Sequence, residues 1–318
     1  MVVKSIFFTL LFWFGALSSH SQVNYPYSVH FFKFSVENQN VKMAYMDVAA
    51  PANSNGKTIL LLHGKNFNGY YWKDVILGLQ AKGYRVIVPD QVGWGKSDKP
   101  NLHYSFHLLS ANTKALLDSL KISKVIVVGH SMGGMLASRF TLLYPKMVEK
   151  LVLENPIGLE DYKTFVPYQS LEKLVAKEKK ATYESYKKYQ QGYYPAWKPQ
   201  YEQYVKAQAE ALSDPNFPKI AWVNAVTYQM IYEQPIVYEL GNIVVPTLLV
   251  IGQEDRTVVG KDLLTDEQKT KYGHYPTLGK KANQQIKNSQ LVEMEGIGHI
   301  PHIQDLERFQ TALFKFLE

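Results

Sequence analysis

The chain has 318 residues, ample for a large hydrophobic interior, so its stability needs neither disulfide staples nor a structural metal. It contains no cysteine, which excludes thiol nucleophiles, disulfide frameworks and thiolate metal sites. The formal charge is +7, from 35 Lys and Arg against 28 Asp and Glu; the lysines at 173, 177, 179, 180, 187 and 188 are interleaved with glutamates and read as a solvated helical face, with no nucleic-acid motif beside them.

Met1 to Lys4 is short and basic, Ile6 to Leu17 is almost wholly apolar, and Ser19-His20-Ser21 offers small residues ahead of Gln22. Residues 1–21 therefore read as a signal peptide. The mature protein is expected to be exported, periplasmic or extracellular, with no transmembrane segment, because the apolar run of about twelve residues falls short of the roughly 20 that a bilayer span needs.

Two alternating segments follow, His30 to Val36 and Val41 to Val48, and the polar link Glu37-Asn38-Gln39-Asn40 predicts an antiparallel hairpin. The rhythm then changes. Apolar runs at Thr58–Leu62, Tyr84–Val88, Val125–Val128 and Lys150–Leu153 alternate with helical stretches at Trp72–Ala81, Leu108–Leu120 and Met132–Leu143. Strands separated by helices pair in parallel, because each crossover helix covers a sheet face. After Asn155-Pro156 the alternation stops: Gly158 to Tyr238 is aromatic-rich and helical, and strand-like runs return only at Thr247–Ile251 and Gln290–Met294, before a final helix at Ile303–Leu317. The predicted fold is α/β, a doubly wound, mostly parallel sheet with an inserted helical cap. The core is expected at 22–156 and 241–318 and the cap at 157–240.

Val125 to Gly134 carries the strongest local signal. A buried strand runs into Gly129-His130-Ser131-Met132-Gly133, and a helix continues from Met135. Glycines at those positions permit the tight strand-to-helix turn that lifts a serine hydroxyl out of a sheet, so Ser131 is the candidate nucleophile. A serine needs a base held in the correct tautomer by an acid. Asp255 follows the strand-like run Leu248–Ile251, and His299 follows Leu291–Met294, which gives the order Ser, Asp, His. Glu154, at the end of the preceding strand, is the alternative acid, and His302 reads as a packing or capping residue of the last helix.

The turn after Leu62, His63-Gly64-Lys65-Asn66, is a candidate oxyanion site, in which the backbone amides of Lys65 and Met132 would converge. His63 reads as a supporting hydrogen-bonding residue. The Lys65 stem reads as running to solvent, with contact to an acidic substrate group as the other reading. Asn66 and Arg256 are candidate substrate-binding residues. No dinucleotide fingerprint is present, since Gly93, Gly95 and Ser97 lack the required spacing, and no histidine cluster suits a metal; neither cofactor nor metal is expected.

Together these elements resemble the α/β-hydrolase superfamily, in particular its cap-bearing bacterial branch of proline iminopeptidase-like and carbon–carbon-bond hydrolase-like proteins. The resemblance covers most of residues 40–318. It is carried by His63-Gly64, by Asp90-Gln91-Val92-Gly93-Trp94-Gly95-Lys96-Ser97, by Gly129 to Gly133, by Asp255 and by Gly298-His299-Ile300-Pro301. A serine at position 131 sets the chain apart from epoxide hydrolases and haloalkane dehalogenases, which use a carboxylate nucleophile. The interval from Asp255 to His299 is longer than usual in the family, and its extra segment, Asp262 to Gly279 with Tyr272-Gly273-His274-Tyr275-Pro276, is expected as a loop beside the site.

The resemblance implies a serine hydrolase acting on a small-molecule substrate with an apolar portion. A carboxylesterase-like activity on a small ester is the first expectation, because it requires only the triad and the oxyanion site. An aminopeptidase and a carbon–carbon-bond hydrolase would use the same triad. The non-enzyme alternative is an exported binding module on the same architecture.

Overall fold

The computed structural model describes residues 24–318, so the expected signal peptide at 1–21 lies outside the described residues. Strands β1 (Val29–Val36) and β2 (Gln39–Val48) form the predicted hairpin with Val36 opposite Gln39. Its turn is only Glu37 and Asn38, both left-handed at φ 46° and 59°, because a two-residue turn of that hand matches the twist of the flanking strands. Gln39 and Asn40, expected in the link, belong to β2.

The next elements are β3 (Thr58–Leu62), α1 (Lys73–Ala81), β4 (Arg85–Pro89), α2 (Phe106–Ser119), β5 (Val125–His130), α3 (Met132–Leu143) and β6 (Val148–Glu154). Ser105 starts α2 by accepting the Leu108 amide, which satisfies one of the donors a helix start leaves free. Four helices then intervene, α4 (Leu171–Glu178), α5 (Tyr183–Gln191), α6 (Glu202–Ala209) and α7 (Phe217–Glu233). The sheet resumes with β7 (Thr247–Gly252), α8 (Asp266–Lys271), α9 (Tyr275–Gln285) and β8 (Ser289–Met294), and the chain ends with α10 (Pro301–Gln304) and α11 (Leu306–Leu317).

The eight strands lie in the order β1-β2-β4-β3-β5-β6-β7-β8; β2 runs antiparallel to both of its neighbours, β1 and β4, and the remaining neighbours are parallel. Successive side chains of a strand face opposite sides, so each inner strand feeds two cores. Leu60, Val127, Leu151 and Leu249 pack in the core that also takes in Leu109, Phe140 and Ala282, from α2, α3 and α9. Ile59, Ile126, Val152 and Leu248 pack in the other, with Ile76 and Leu79 of α1 and Phe309 and Leu313 of α11. Helices therefore cover both faces. Parallel strands end on one edge, and the C-terminal ends of β3, β5, β6, β7 and β8 bring their following loops together there, below the helical insertion.

Two expectations are corrected. The segment Asp262–Gly279, expected as a loop, carries α8 and the first turns of α9; α9 buries Tyr275, Leu278 and Ala282 and is the crossover helix that joins β7 to β8. The final helix is not continuous from Ile303. It breaks at Asp305, whose carboxylate accepts the Arg308 amide and starts α11 afresh.

Candidate active site

The turn between β5 and α3 is possible only with glycines. A Cβ on Gly129 would lie 2.2 Å from the Gly133 carbonyl oxygen, and one on Gly133 would lie 2.1 Å from that of Leu62. Between them Ser131 takes φ 56° and ψ −120°, a conformation that costs a non-glycine residue about 1–3 kcal/mol and persists only where packing enforces it.

Three side chains predicted from sequence meet here. His299 Nε2 lies 2.9 Å from Ser131 Oγ, and His299 Nδ1 lies 2.7 Å from Asp255 Oδ2. An ionised carboxylate only accepts, so Nδ1–H donates to Asp255 and leaves Nε2 free to accept the Ser131 hydroxyl. All three are buried.

Asp255 is held by donors on both oxygens. The Thr257 amide donates to Oδ1 at 2.8 Å and Asn155 Nδ2 donates to Oδ2 at 2.7 Å. Asn155 is fixed in turn by accepting the Gly252 amide at 3.0 Å. Burial pushes the Asp255 carboxyl pKa up, but the facing His299 and the hydrogen bonds from His299, Thr257 and Asn155 together outweigh it and hold the group below its ordinary value.

Glu154, the alternative acid, serves a different histidine. Its side chain follows Val152 to the α1 and α11 side of the sheet, where Oε1 accepts the His302 amide at 2.8 Å and His302 Nδ1 donates at 2.9 Å. His302 also stacks on Trp72, with ring centroids 4.3 Å apart.

The oxyanion turn abuts the serine: a Cβ on Gly64 would stand 3.3 Å from Ser131 Cβ. Among the described residues, the amides of Lys65 and Met132 donate to no protein carbonyl, and Met132 opens α3, where amides gather at the positive end of the helix. His63 supports the turn as expected: Nε2 accepts the Gln91 amide at 3.0 Å, so Nδ1–H donates to the Gly64 carbonyl at 2.9 Å. Burial lowers its pKa and keeps the ring neutral.

One hydrogen-bond series ties this turn to the histidine loop. The Gly64 amide donates to Tyr71 Oη at 2.9 Å, Tyr71 O–H donates to His130 Nδ1 at 3.1 Å, and His130 Nε2–H donates to the His299 carbonyl at 2.8 Å. Burial, then the neighbouring His299 and His302, drive the His130 pKa well below its ordinary value, so the ring stays neutral and carries one proton. Tyr71→Phe strands the Gly64 amide and the His130 acceptor; it is expected to cost about 2 kcal/mol in chemical denaturation, the penalty for buried groups left unpaired.

The helical insertion reaches the site through Tyr193. Its carbonyl accepts the His299 amide at 2.8 Å, its ring stacks on the imidazole with centroids 4.8 Å apart, and its hydroxyl accepts from Asn66 Nδ2 at 2.9 Å. A Cβ on Gly298 would fall 2.2 Å from that same carbonyl, so only glycine lets the two segments approach. Sequence reasoning did not single out Asn155, Tyr71, His130 or Tyr193 as site residues; nothing distinguishes Tyr193 among the insertion's many aromatics, most of which pack the interior.

Asn66 lines a cavity of about 690 Å³ between the loops at 65–68 and 93–99 and helices α5 to α7. Lys65 lines it as well and is partly buried. Arg256 turns back on its own loop, where Nη1 donates to the Gln253 and Asp255 carbonyls. Among the described residues, no group of His, Asp and Glu could hold a metal, and no helix is long and apolar enough to cross a membrane.

Comparison with known proteins fits this picture. A family model for the alpha/beta hydrolase fold matches residues 57–180. The crystal structure of a probable hydrolytic enzyme from Pseudomonas aeruginosa PAO1 is 45% identical, covers 94% of this chain and 100% of its own, and superposes with a TM-score of 0.91. Among curated proteins, 2-hydroxy-6-oxononadienedioate/2-hydroxy-6-oxononatrienedioate hydrolase of Paraburkholderia xenovorans is 39% identical over 117 residues, 36% of this chain and 39% of that protein. Epoxide hydrolase 4 of Mus musculus is 39% identical over 107 residues, 33% of this chain and 30% of that protein. The chain spans about a third of the length of the curated relatives it matches. With one solved relative of 45% identity matched from end to end at a TM-score of 0.91, the chain belongs to the α/β-hydrolase superfamily.

Proposed function

We propose that the protein is a serine esterase acting on a small ester, exported after removal of residues 1–21, with residues 157–240 as a cap over its site. The observation that carries this reading is the unbroken series Asp255–His299–Ser131, at 2.7 Å and 2.9 Å. Those distances are within reach for proton transfer.

Ser131 Oγ attacks the ester carbonyl as His299 Nε2 takes its proton. Asp255, kept ionised, stabilises the imidazolium that forms. The carbonyl oxygen becomes an oxyanion and receives the Lys65 and Met132 amides; removal of one such donor typically costs about 3 kcal/mol. The tetrahedral intermediate collapses as His299 returns the proton to the leaving alcohol. Water then attacks the acyl-serine, with His299 again the base, and frees the acid and Ser131. Tyr193 covers the imidazole, while Tyr71 and His130 fix the oxyanion turn against the His299 backbone, so the reacting groups are oriented before substrate arrives.

The partial likeness to the oxo-acid hydrolase from P. xenovorans supports a second reading, cleavage of a carbon–carbon bond by the same three residues. Labelling with a serine-reactive fluorophosphonate, read by peptide mass, tests the shared chemistry: one adduct on Ser131 of the mature protein, absent in Ser131→Ala, is expected. No adduct on folded protein would refute both enzymatic readings. Turnover of simple esters without cleavage of an extended oxo acid would then select the esterase.

A further inference from the structure

The cavity next to the oxyanion turn is lined by Lys65 and Asn66 and by none of the three triad residues, and its Lys65 ammonium has no ion-pair or hydrogen-bond partner among the described residues. Lys65 lines it one residue from Gly64, the residue that abuts Ser131, and shares its wall with Asn66, which bonds to the tyrosine over His299. Lys65 is partly buried, and its carbonyl is fixed by the Trp94 indole N–H at 2.7 Å. Among the described residues, no carboxylate lies within ion-pair distance of its ammonium; Glu178 and Lys177 act on it only from farther away. Burial is the main influence on its pKa and lowers it from the ordinary lysine value. A cation withdrawn from water with no counterion is costly unless something arrives to pair with it.

The other charges of the cavity are disposed differently. Lys99 donates to the carbonyls of Gly95 and Ser97, and Lys96 lies over the Tyr25 ring, 4.6 Å from its centroid. Glu210 and Asp214 line the cavity from the last turn that follows α6 and from the residue just after it. Lys65 is thus the cavity's cation on the oxyanion turn itself, and it retains three N–H donors for a ligand.

We propose that the Lys65 ammonium pairs with a free carboxylate on the substrate, so that the preferred substrates are esters bearing a second, ionised carboxyl group, such as monoesters of short dicarboxylic acids. The inference rests on the serine-esterase reading and names the substrate class of that site. The carboxylate replaces the water that a lysine in this cavity cannot fully recover, and it holds the ester carbonyl over Ser131 from a point beside the oxyanion turn. A net positive protein draws the same anions toward the cavity mouth.

The test compares monomethyl and dimethyl esters of succinate, glutarate and adipate. Wild type is expected to favour at least one monoester over its dimethyl partner by about ten-fold or more in kcat/KM. Lys65→Met is expected to collapse that ratio, and Lys65→Arg to keep most of it; should Lys65→Met not fold, as judged by thermal melting, Lys65→Gln takes its place. Fluorophosphonate labelling supplies a readout without turnover: glutarate slows adduct formation on Ser131 in wild type and fails to do so in the neutral variant. A ratio near one in wild type, or a ratio and a protection unchanged by removing the charge, overturns the inference and leaves the esterase reading standing. Failure of both ester hydrolysis and Ser131 labelling overturns the reading itself, and this inference with it.

Discussion

Ser131→Ala is expected to lower kcat for ester hydrolysis by on the order of 10⁶-fold while the protein stays folded. The large loss follows from how the three residues work as one unit. Among the described residues, His299 Nε2 has no hydroxyl partner besides Ser131, and without a nucleophile neither His299 nor Asp255 contributes. The residual rate would come from binding and from the amides of Lys65 and Met132 acting on adventitious water attack. Stability separates alanine from glycine at this position. Ser131 holds φ 56° and ψ −120°, and alanine inherits that strain because it keeps a Cβ. Glycine does not, so Ser131→Gly is expected to be about 1 kcal/mol more stable than Ser131→Ala by chemical denaturation, and equally inactive. Equal stabilities would show that the elbow stores no strain. Activity in either variant above a thousandth of wild type would mean that the nucleophile lies elsewhere.

What sequence conveys about this site follows chain distance. The run from Val125 into the helix beyond Met132 is a single local object, so the strand, the glycine-bounded turn and the emerging serine are readable together. Asp255 and His299 are readable because each lies just after an apolar strand, and parallel strands must end on one edge. Lys65 and Met132 are readable by the same logic. The supports are not. Asn155 appears in the chain only as the residue before Pro156, yet it orients an aspartate 100 positions away. Tyr193 is 106 residues before His299 and looks like any other aromatic of the insertion, although its carbonyl and ring fix the imidazole. The helices at 266–271 and 275–285 were obscured for another reason: Pro276, Gly273 and Gly279 punctuate the segment, and α9 gains its order from packing on β7 and β8 more than from its own propensity. The Lys65 side chain shows the same limit. Its surroundings depend on helices that begin more than a hundred residues later, so a local reading misses the cavity that Lys65 lines.

Asp255→Asn is expected to lower kcat by on the order of 10⁴-fold, and the reason lies in the hydrogen bonds around the carboxylate. All three neighbours are donors: Thr257 N–H to Oδ1, and Asn155 Nδ2 and His299 Nδ1 to Oδ2. An amide cannot accept at both positions. If its NH₂ takes the Oδ2 place, it faces Asn155 and forces His299 to carry its proton on Nε2, where the ring can no longer accept from Ser131. If its NH₂ takes the Oδ1 place, it opposes the Thr257 amide and leaves a buried donor unpaired, at a cost of about 1–3 kcal/mol. Either way the imidazolium of the transition state loses its counter-charge. Glu154→Gln is the matched comparison, because Glu154 is also a buried carboxylate at a strand end. Its Oε1 accepts from both the amide and Nδ1 of His302, so a glutamine can keep its carbonyl oxygen there and turn its NH₂ to the Oε2 place without disturbing His299. The change in kcat is expected to stay within about ten-fold, the scale of a perturbation felt through packing alone. Measured on one ester at one pH, a larger loss in Glu154→Gln than in Asp255→Asn would transfer the role of catalytic acid to Glu154. The 2.7 Å contact to Asp255 would then be a structural bond, and proton movement at Ser131 would have to be supported across the sheet through His302.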